Sequence, residues 1–306
     1  MSARIAGVAS LLAGTLAACS PLPATSTEPV APSGPARSEP ARTDLAAACG
    51  TRDGWSDPAP PAHVAANVWD VGTCGITVLL VTGDAGHVLI DAATAEAVPA
   101  ILANIRSAGF DPRDVRWMVS SHEHHDHVGG MAALRAATGA RIAAGRVAAA
   151  ALERGQVGAD DPQVTIHQPF APVKVDKVLA DGEALTLGNL RLALHETPVH
   201  SPGSVSWTWQ SAGGGPSFNY IDSLTTISAD DYRFADHPER VSEIRKGLAA
   251  ATALPCGILL TPHPSASDMF ERLAGRAPLE DSAACRVYAD DAKARFESRL
   301  AKETAR

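Results

Sequence analysis

The chain has 306 residues, 45% of them hydrophobic and 20% charged, which is an ordinary globular balance with apolar material for one sizeable core or two small ones. Its formal net charge is −8, and no block of consecutive Lys or Arg occurs. Gripping nucleic acid through its phosphates needs a basic face, so the composition argues against that class of partner.

The first residues read as an address. Arg4 precedes an apolar run from Ile5 to Ala18, too short for a comfortable transmembrane helix and suited to a secretory signal. The run ends Leu16-Ala17-Ala18-Cys19, which resembles the bacterial lipobox. That resemblance implies a signal peptide over 1–18, cleavage before Cys19 and lipidation of its thiol. Because Ser20 rather than Asp follows, it also implies anchoring to the outer membrane, facing the periplasm. Plain secretion after a small residue is the alternative. Cleavage leaves 25 basic against 34 acidic side chains, a formal charge of −9. Residues 19–48 are Pro/Ala/Ser-rich without hydrophobic periodicity and are expected to form a flexible tether, with the folded domain over 49–306. A monomer is expected, touching the membrane only through Cys19.

From about residue 67 short apolar strands begin. Asn67 to Val71, Ile76 to Val81 and Val88 to Asp91 are separated by Gly-containing turns, as neighbouring antiparallel strands would be. Val98, Ile101, Leu102 and Ile105 repeat at helical spacing until Gly109 stops the helix. Val115 to Ser120 reads as a buried strand, and a helix resumes at Met131. Residues 174–209 alternate like a run of strands. Val241, Ile244 and Leu248 share one helix face, Gly257 to Thr261 is a short buried strand, and a charged amphipathic helix follows Ser282. Two halves, each strands followed by helices, suggest an α+β fold of sheet packed on sheet with helices outside. Four cysteines remain besides Cys19, and in an exported chain an even number favours disulfides. Of the three pairings, Cys49–Cys74 with Cys256–Cys285 is expected, because each bond closes a short local loop.

The segment that carries chemistry is Ser121-His122-Glu123-His124-His125-Asp126-His127-Val128-Gly129-Gly130. Four histidines and two carboxylates in six positions would be costly to bury as ordinary core. Neutral imidazole with carboxylate is a good donor set for zinc. A tight loop after a strand turns alternate side chains to one point, so His122 and His124 can meet one ion while Asp126 and His127 reach another.

His122-x-His124-x-Asp126-His127 resembles the signature of the metallo-β-lactamase superfamily. Thr197-Pro198-Val199-His200-Ser201-Pro202-Gly203-Ser204 is similar to that family's third-histidine loop. Tyr220-Ile221-Asp222-Ser223-Leu224-Thr225 and Thr261-Pro262-His263-Pro264-Ser265 are similar to its last two motifs. The resemblance runs from about residue 50 to the C-terminus and is strongest to the B3 subclass. It implies an αββα sandwich of two mixed sheets packed face to face, with two Zn2+ ions at their edge. His122, His124 and His200 would hold the first ion, and Asp126, His127 and His263 the second. Asp91 would be a buried aspartate steadying a ligand or its loop, and Ser223 and Thr225 would bind a substrate carboxylate. The implied reaction is hydrolysis of the β-lactam amide bond of penicillins, cephalosporins and carbapenems by a hydroxide bridging the zincs, conferring antibiotic resistance, with Asp126 orienting the nucleophile.

Two residues depart from the pattern: Val199 stands where relatives commonly have glycine, and His125 where they often have an aromatic or small residue. Trp69 is a candidate pocket wall or core residue. His63, His87, His167 and His237 are expected at the surface in loop-like segments, and His195 in a structural hydrogen bond. Alternatives on the same fold are a thioesterase or lactonase, with Asp222 as a bridge between metals, and a non-catalytic zinc-binding lipoprotein.

Overall fold

The computed structural model describes Ser2, residues 43–211 and residues 214–305. The signal segment, Cys19 and most of the expected tether lie outside the described residues. The domain itself starts earlier than position 49. Helix α1 (Leu45–Cys49) is capped by the Asp44 carboxylate, which accepts from Ala47 N, and Leu45 is 1% exposed. Asp44 also pairs with Arg276. A lone leucine in a polar, proline-rich stretch carries no periodic signal, so its burial is invisible until the fold provides a partner.

Seven strands form the first sheet in chain order: β1 (Ala62–Ala65), β2 (Val68–Asp70), β3 (Leu79–Gly83), β4 (Gly86–Ile90), β5 (Val115–Val119), β6 (Arg141–Gly145) and β7 (Lys177–Leu179). β1 to β4 pair antiparallel and β4 to β7 parallel. The parallel crossovers are made by α2 (Val98–Ser107), by α3 (His125–Val128) followed by α4 (Met131–Thr138), and by α5 (Arg146–Arg154) with the loop after it. The second sheet holds β8 (Ala184–Leu187), β9 (Leu190–Glu196), β10 (Val205–Gln210), β11 (Ser217–Tyr220) and β12 (Ile258–Leu260), with β12 parallel to β11 and the remaining pairs antiparallel. Helices α6 (Pro238–Ala253), α7 (Met269–Leu273) and α8 (Ala284–Thr304) complete the chain.

Side-chain alternation builds the layers. Leu79, Val81, Val88 and Ile90 face Leu192, Leu194, Trp207, Phe218 and Tyr220 in the core between the sheets. Their neighbours Leu80, Leu89, Met118 and Ile142 point outward and pack beneath Ile101, Ile105 and Leu134. On the other side, Val241, Ile244 and Leu248 of α6 meet Tyr288, Ala289, Ala292 and Phe296 of α8, a three- and four-residue spacing that marks one helix face. The molecule is thus an αββα sandwich of two mixed sheets. Disulfides join Cys49 to Cys74 and Cys256 to Cys285.

Several expectations shift. His63 and His87 lie in strands β1 and β4 rather than in loops. Trp69 packs between His63 and Phe110, against the α2 layer and away from the histidine cluster. Strand β3 begins at Leu79, because Thr77 N is drawn off to Pro262 O.

Candidate metal centre

β5 ends at Val119, and the chain bends at Ser121, Glu123 and His124 before α3 begins at His125. Successive side chains then part. His122 and His124 turn inward. Glu123 turns to the third-histidine loop, where it accepts from Ser201 Oγ (2.8 Å) and Gly203 N (3.0 Å). The helical turn of α3 brings Asp126 and His127 to the same space, while His125 points out against Trp55. Gly130 lets this turn dock: a Cβ there would lie 2.3 Å from Ala92 O. Opposite it, Asp91 and Ala93 adopt positive φ (64° and 50°), strain of order 1 kcal/mol each that the surrounding hydrogen bonds hold in place.

His200 arrives on the loop between β9 and β10, which Val199 and Arg240 anchor. Val199 is fully buried over Gly247 of α6, and Arg240 donates to Pro198 O (2.8 Å) and Val199 O (2.9 Å). A glycine in place of Val199 would lack that apolar anchor. His263 follows β12. All six predicted donors therefore converge.

Several overlapping groupings of donors could hold a metal ion, and two of them match the predicted sets. One donor atom from each of His122, His124 and His200 lies within 4.8 Å of the others, and His122 Nε2 and His124 Nδ1 are buried without a hydrogen-bond partner. In the second, Asp126 Oδ2, His127 Nε2 and His263 Nε2 form a triangle with edges of 3.2, 3.5 and 3.3 Å. A tetrahedral zinc with bonds of about 2.05 Å has donor–donor edges of about 3.3 Å. The triangle is one face of that tetrahedron. Asp126 Oδ1 is also buried and unpartnered.

Behind these donors, every histidine gives its other nitrogen's proton to an oxygen. His122 Nδ1 donates to Asp222 Oδ1 (2.8 Å), His124 Nε2 to Asp161 Oδ2 (2.9 Å) and His127 Nδ1 to Asp91 Oδ2 (3.2 Å). His200 Nδ1 donates to Thr225 O (2.8 Å) and His263 Nδ1 to Gly75 O (3.1 Å). Each bond fixes which nitrogen holds the outer proton, so that the other, once deprotonated, presents its lone pair to the centre, as metal-ligating histidines require. Asp91 is itself held by Ser121 N, Ser121 Oγ and Tyr220 Oη.

The electrostatics agree. Burial, reinforced by neighbouring imidazoles, pushes His124 and His200 down to about 3 and His263 to about 4, so all three are neutral donors. His127 is the exception. Burial would lower it too, but Asp126 and Asp91 flank it and hold it up at about 10. Asp126 falls well below the usual carboxylate range, its burial outweighed by His127 and His263. A cation entering here would replace that proton, which links metal affinity to pH. Burial raises Asp222 to about 8.

Ser223 follows Asp222 in the chain and is 3% exposed. Thr225 Oγ1 is 3.0 Å from His200 Nδ1, beside its own carbonyl. His195 bonds Thr208 Oγ1 (2.8 Å), away from the cluster. His167 corrects the surface expectation: its ring stacks on His124 with centroids 3.7 Å apart. The loop that carries it also supplies Asp161 and Gln163, whose amide is 3.4 Å from His200 Nε2. No motif marks this loop in the sequence. It is brought to the site only when the segment after α5 folds back over the sheet edge.

Residues 71–214 match the family described as the metallo-β-lactamase superfamily. The fold superposes on the crystal structure of the metallo-β-lactamase MIM-1 from Novosphingobium pentaromativorans with a TM-score of 0.83 and 56% identity, covering 85% of this chain and 98% of that one. It also superposes on MEM-A1, a subclass B3 metallo-β-lactamase isolated from a soil metagenome library, with a TM-score of 0.78 and 36% identity over 82% and 99% of the two chains. A hydroxyacylglutathione hydrolase of Anaeromyxobacter dehalogenans (strain 2CP-C) is 30% identical over 206 residues, 67% of this chain and 66% of that relative's length. The chain belongs to the metallo-β-lactamase superfamily.

Proposed function

We propose that the protein is a B3-type β-lactamase that uses two zinc ions to hydrolyse the β-lactam amide bond of penicillins, cephalosporins and carbapenems. In the cell that reaction would confer resistance. The observation that carries the reading is the convergence of six donors, each histidine locked by an oxygen behind it. The identity to MIM-1 over nearly its whole length supports the substrate class.

When bound, the two ions supply Lewis acidity and a water that loses its proton near neutral pH. The chain's own residues do the rest. His122, His124 and His200 would hold one ion and Asp126, His127 and His263 the other, with Asp126 Oδ1, buried and unpartnered, left free to accept a proton. Ser223 and Thr225 offer neutral hydroxyls to the substrate carboxylate. No side chain serves as nucleophile, so no acyl-enzyme forms and serine-directed inhibitors should fail. Export and a lipid anchor at Cys19 would place the enzyme in the periplasm, where β-lactams pass.

The similarity to a hydroxyacylglutathione hydrolase makes thioester hydrolysis the second reading, with Asp222 bridging the metals. Against it, Asp222 Oδ1 is 2.8 Å from His122 Nδ1, on the ring edge opposite the free Nε2. That oxygen orients the ligand from the edge away from its free nitrogen, while Asp222 Oδ2 is buried without a hydrogen-bond partner among the described residues. The test follows hydrolysis of a carbapenem, a cephalosporin and a thioester by absorbance, with and without a chelator. Turnover of the lactams that chelation abolishes and zinc restores is expected. Thioester turnover alone would overturn the lactamase reading.

A further inference from the structure

One side chain reaches the centre without a part in the scheme above. His167 lies face to face with His124, its centroid 3.7 Å away. One donor atom from each of His124, Asp126 and His167 lies within 4.8 Å of the other two. His167 Nδ1 is 3.0 Å from His125 Nδ1, and its Nε2 is buried with no partner. Two nitrogens at that distance share one proton. If His125 supplied it, His167 Nε2 would carry a buried, unpaired N–H. If His167 supplies it, Nε2 presents a bare lone pair towards the cluster. Either leaves a buried polar atom unsatisfied, a cost of about 1–3 kcal/mol. Only the second arrangement is relieved by a cation.

The position of the residue says which stage of metal binding it serves. His124 and Asp126 each belong to one of the two inner groupings, so an ion shared with His167 sits between those groupings and competes with full occupancy of both. Five of the six inner donors are buried, and His263 is half-buried, as is His167, which stands on a loop whose Val164 and Ile166 are exposed. His167 and His263 therefore stand on the solvent side of the groupings, His167 against the ring of His124.

We propose that His167 is a seventh metal donor, which forms with His124 and Asp126 an entry position that captures a divalent cation and passes it to the inner sites. His125 is the positioning residue that sets its tautomer. The inference rests on the two-metal reading above.

The test is zinc uptake by the full-length, chelator-stripped protein, followed by stopped-flow with a chromophoric zinc indicator. His167→Ala should slow uptake by about tenfold, while the protein still binds two ions at equilibrium. His125→Ala should give a smaller slowing, and His167→Asp, which restores a donor, should recover most of the rate. Cobalt provides a second readout. One equivalent mixed with wild-type protein should show an early visible spectrum that His167→Ala lacks. A role as a simple lid predicts the opposite sign, because removing the ring would open the mouth and speed uptake. Faster or unchanged uptake in His167→Ala, with an unaltered cobalt spectrum, would overturn the proposal. Wild-type protein that binds no zinc would overturn both this and the metal-centre reading. Normal uptake effects without lactam turnover would overturn only the substrate assignment.

Discussion

Gly203→Ala probes the tie between the two loops that carry the first-ion donors. A Cβ at position 203 would lie 2.3 Å from Glu123 Oε2 and 2.7 Å from its Cδ. The carboxyl has nowhere to retreat. Glu123 is 1% exposed, and it already accepts from Ser201 Oγ and from Gly203 N itself. Overpacking of this kind costs about 1–3 kcal/mol. Displacing the buried carboxyl from one donor adds about 1–3 kcal/mol. The sum of about 2–6 kcal/mol corresponds to a fall in Tm of about 4–24 °C for a domain of this size. Because His200 is three residues away, zinc affinity should fall with stability. The assay is thermal unfolding of the chelated protein, paired with zinc competition against a chromophoric chelator. Glu123→Asp supplies the control. Its shorter side chain withdraws from the added methyl, so the double variant should be more stable than the two single effects predict, by about 1–2 kcal/mol of coupling. A Tm within about 2 °C of wild type, or strictly additive effects, would refute the reasoning.

Asp222→Asn should lower zinc affinity by about 10–100-fold while two ions still bind, since it weakens the acceptor behind His122 without removing a ligand. A stoichiometry of one ion by elemental analysis would instead identify Asp222 as a bridging ligand. Thr225→Val should raise KM for a β-lactam and leave zinc affinity within about twofold, because the backbone carbonyl still accepts from His200 Nδ1. Equal losses in both would show that the hydroxyl serves the metal site only. Asp70 is buried, accepts from Gly72 N and Val78 N, and is pushed up by burial to about 7 from an ordinary 3.8. The folded state therefore binds the proton more tightly than the unfolded chain. The stability this contributes is complete below about pH 4 and lost as pH rises through about 7, up to roughly 4 kcal/mol. Urea unfolding of Asp70→Asn against wild type across pH 4–8 should show a shallower decline in the variant, and parallel curves would dismiss the effect.

Four of the candidate donors were legible in the sequence because metal chemistry restricts them to few residue types at short spacing, whereas His200 and His263 were implied only by the resemblance of their loops to a family's motifs. His122, His124, Asp126 and His127 occupy one loop and one helical turn, so local geometry alone nearly assembles them. Strand and helix periods were legible for the same reason: Val241, Ile244 and Leu248 mark a face that needs no partner to be recognised. The disulfide pairs followed from loop closure along the chain. What the tertiary structure decided is everything set by contacts between distant segments. Asp161, Gln163 and His167 reach the site from a loop without periodicity, and a histidine flanked by Ile166 and Gln168 carries no sign that it will stack on His124. Glu123 looks like a spare ligand until Gly203, eighty residues on, is folded against it. Asp222 was ambiguous between bridge and support, because a residue type does not say which edge of an imidazole it will meet. Leu45 seemed part of a tether until the core supplied a place for it. Local pattern follows from residue chemistry and helix or strand geometry, whereas which nitrogen faces the metal and which carboxylate stands behind it depends on how remote segments pack.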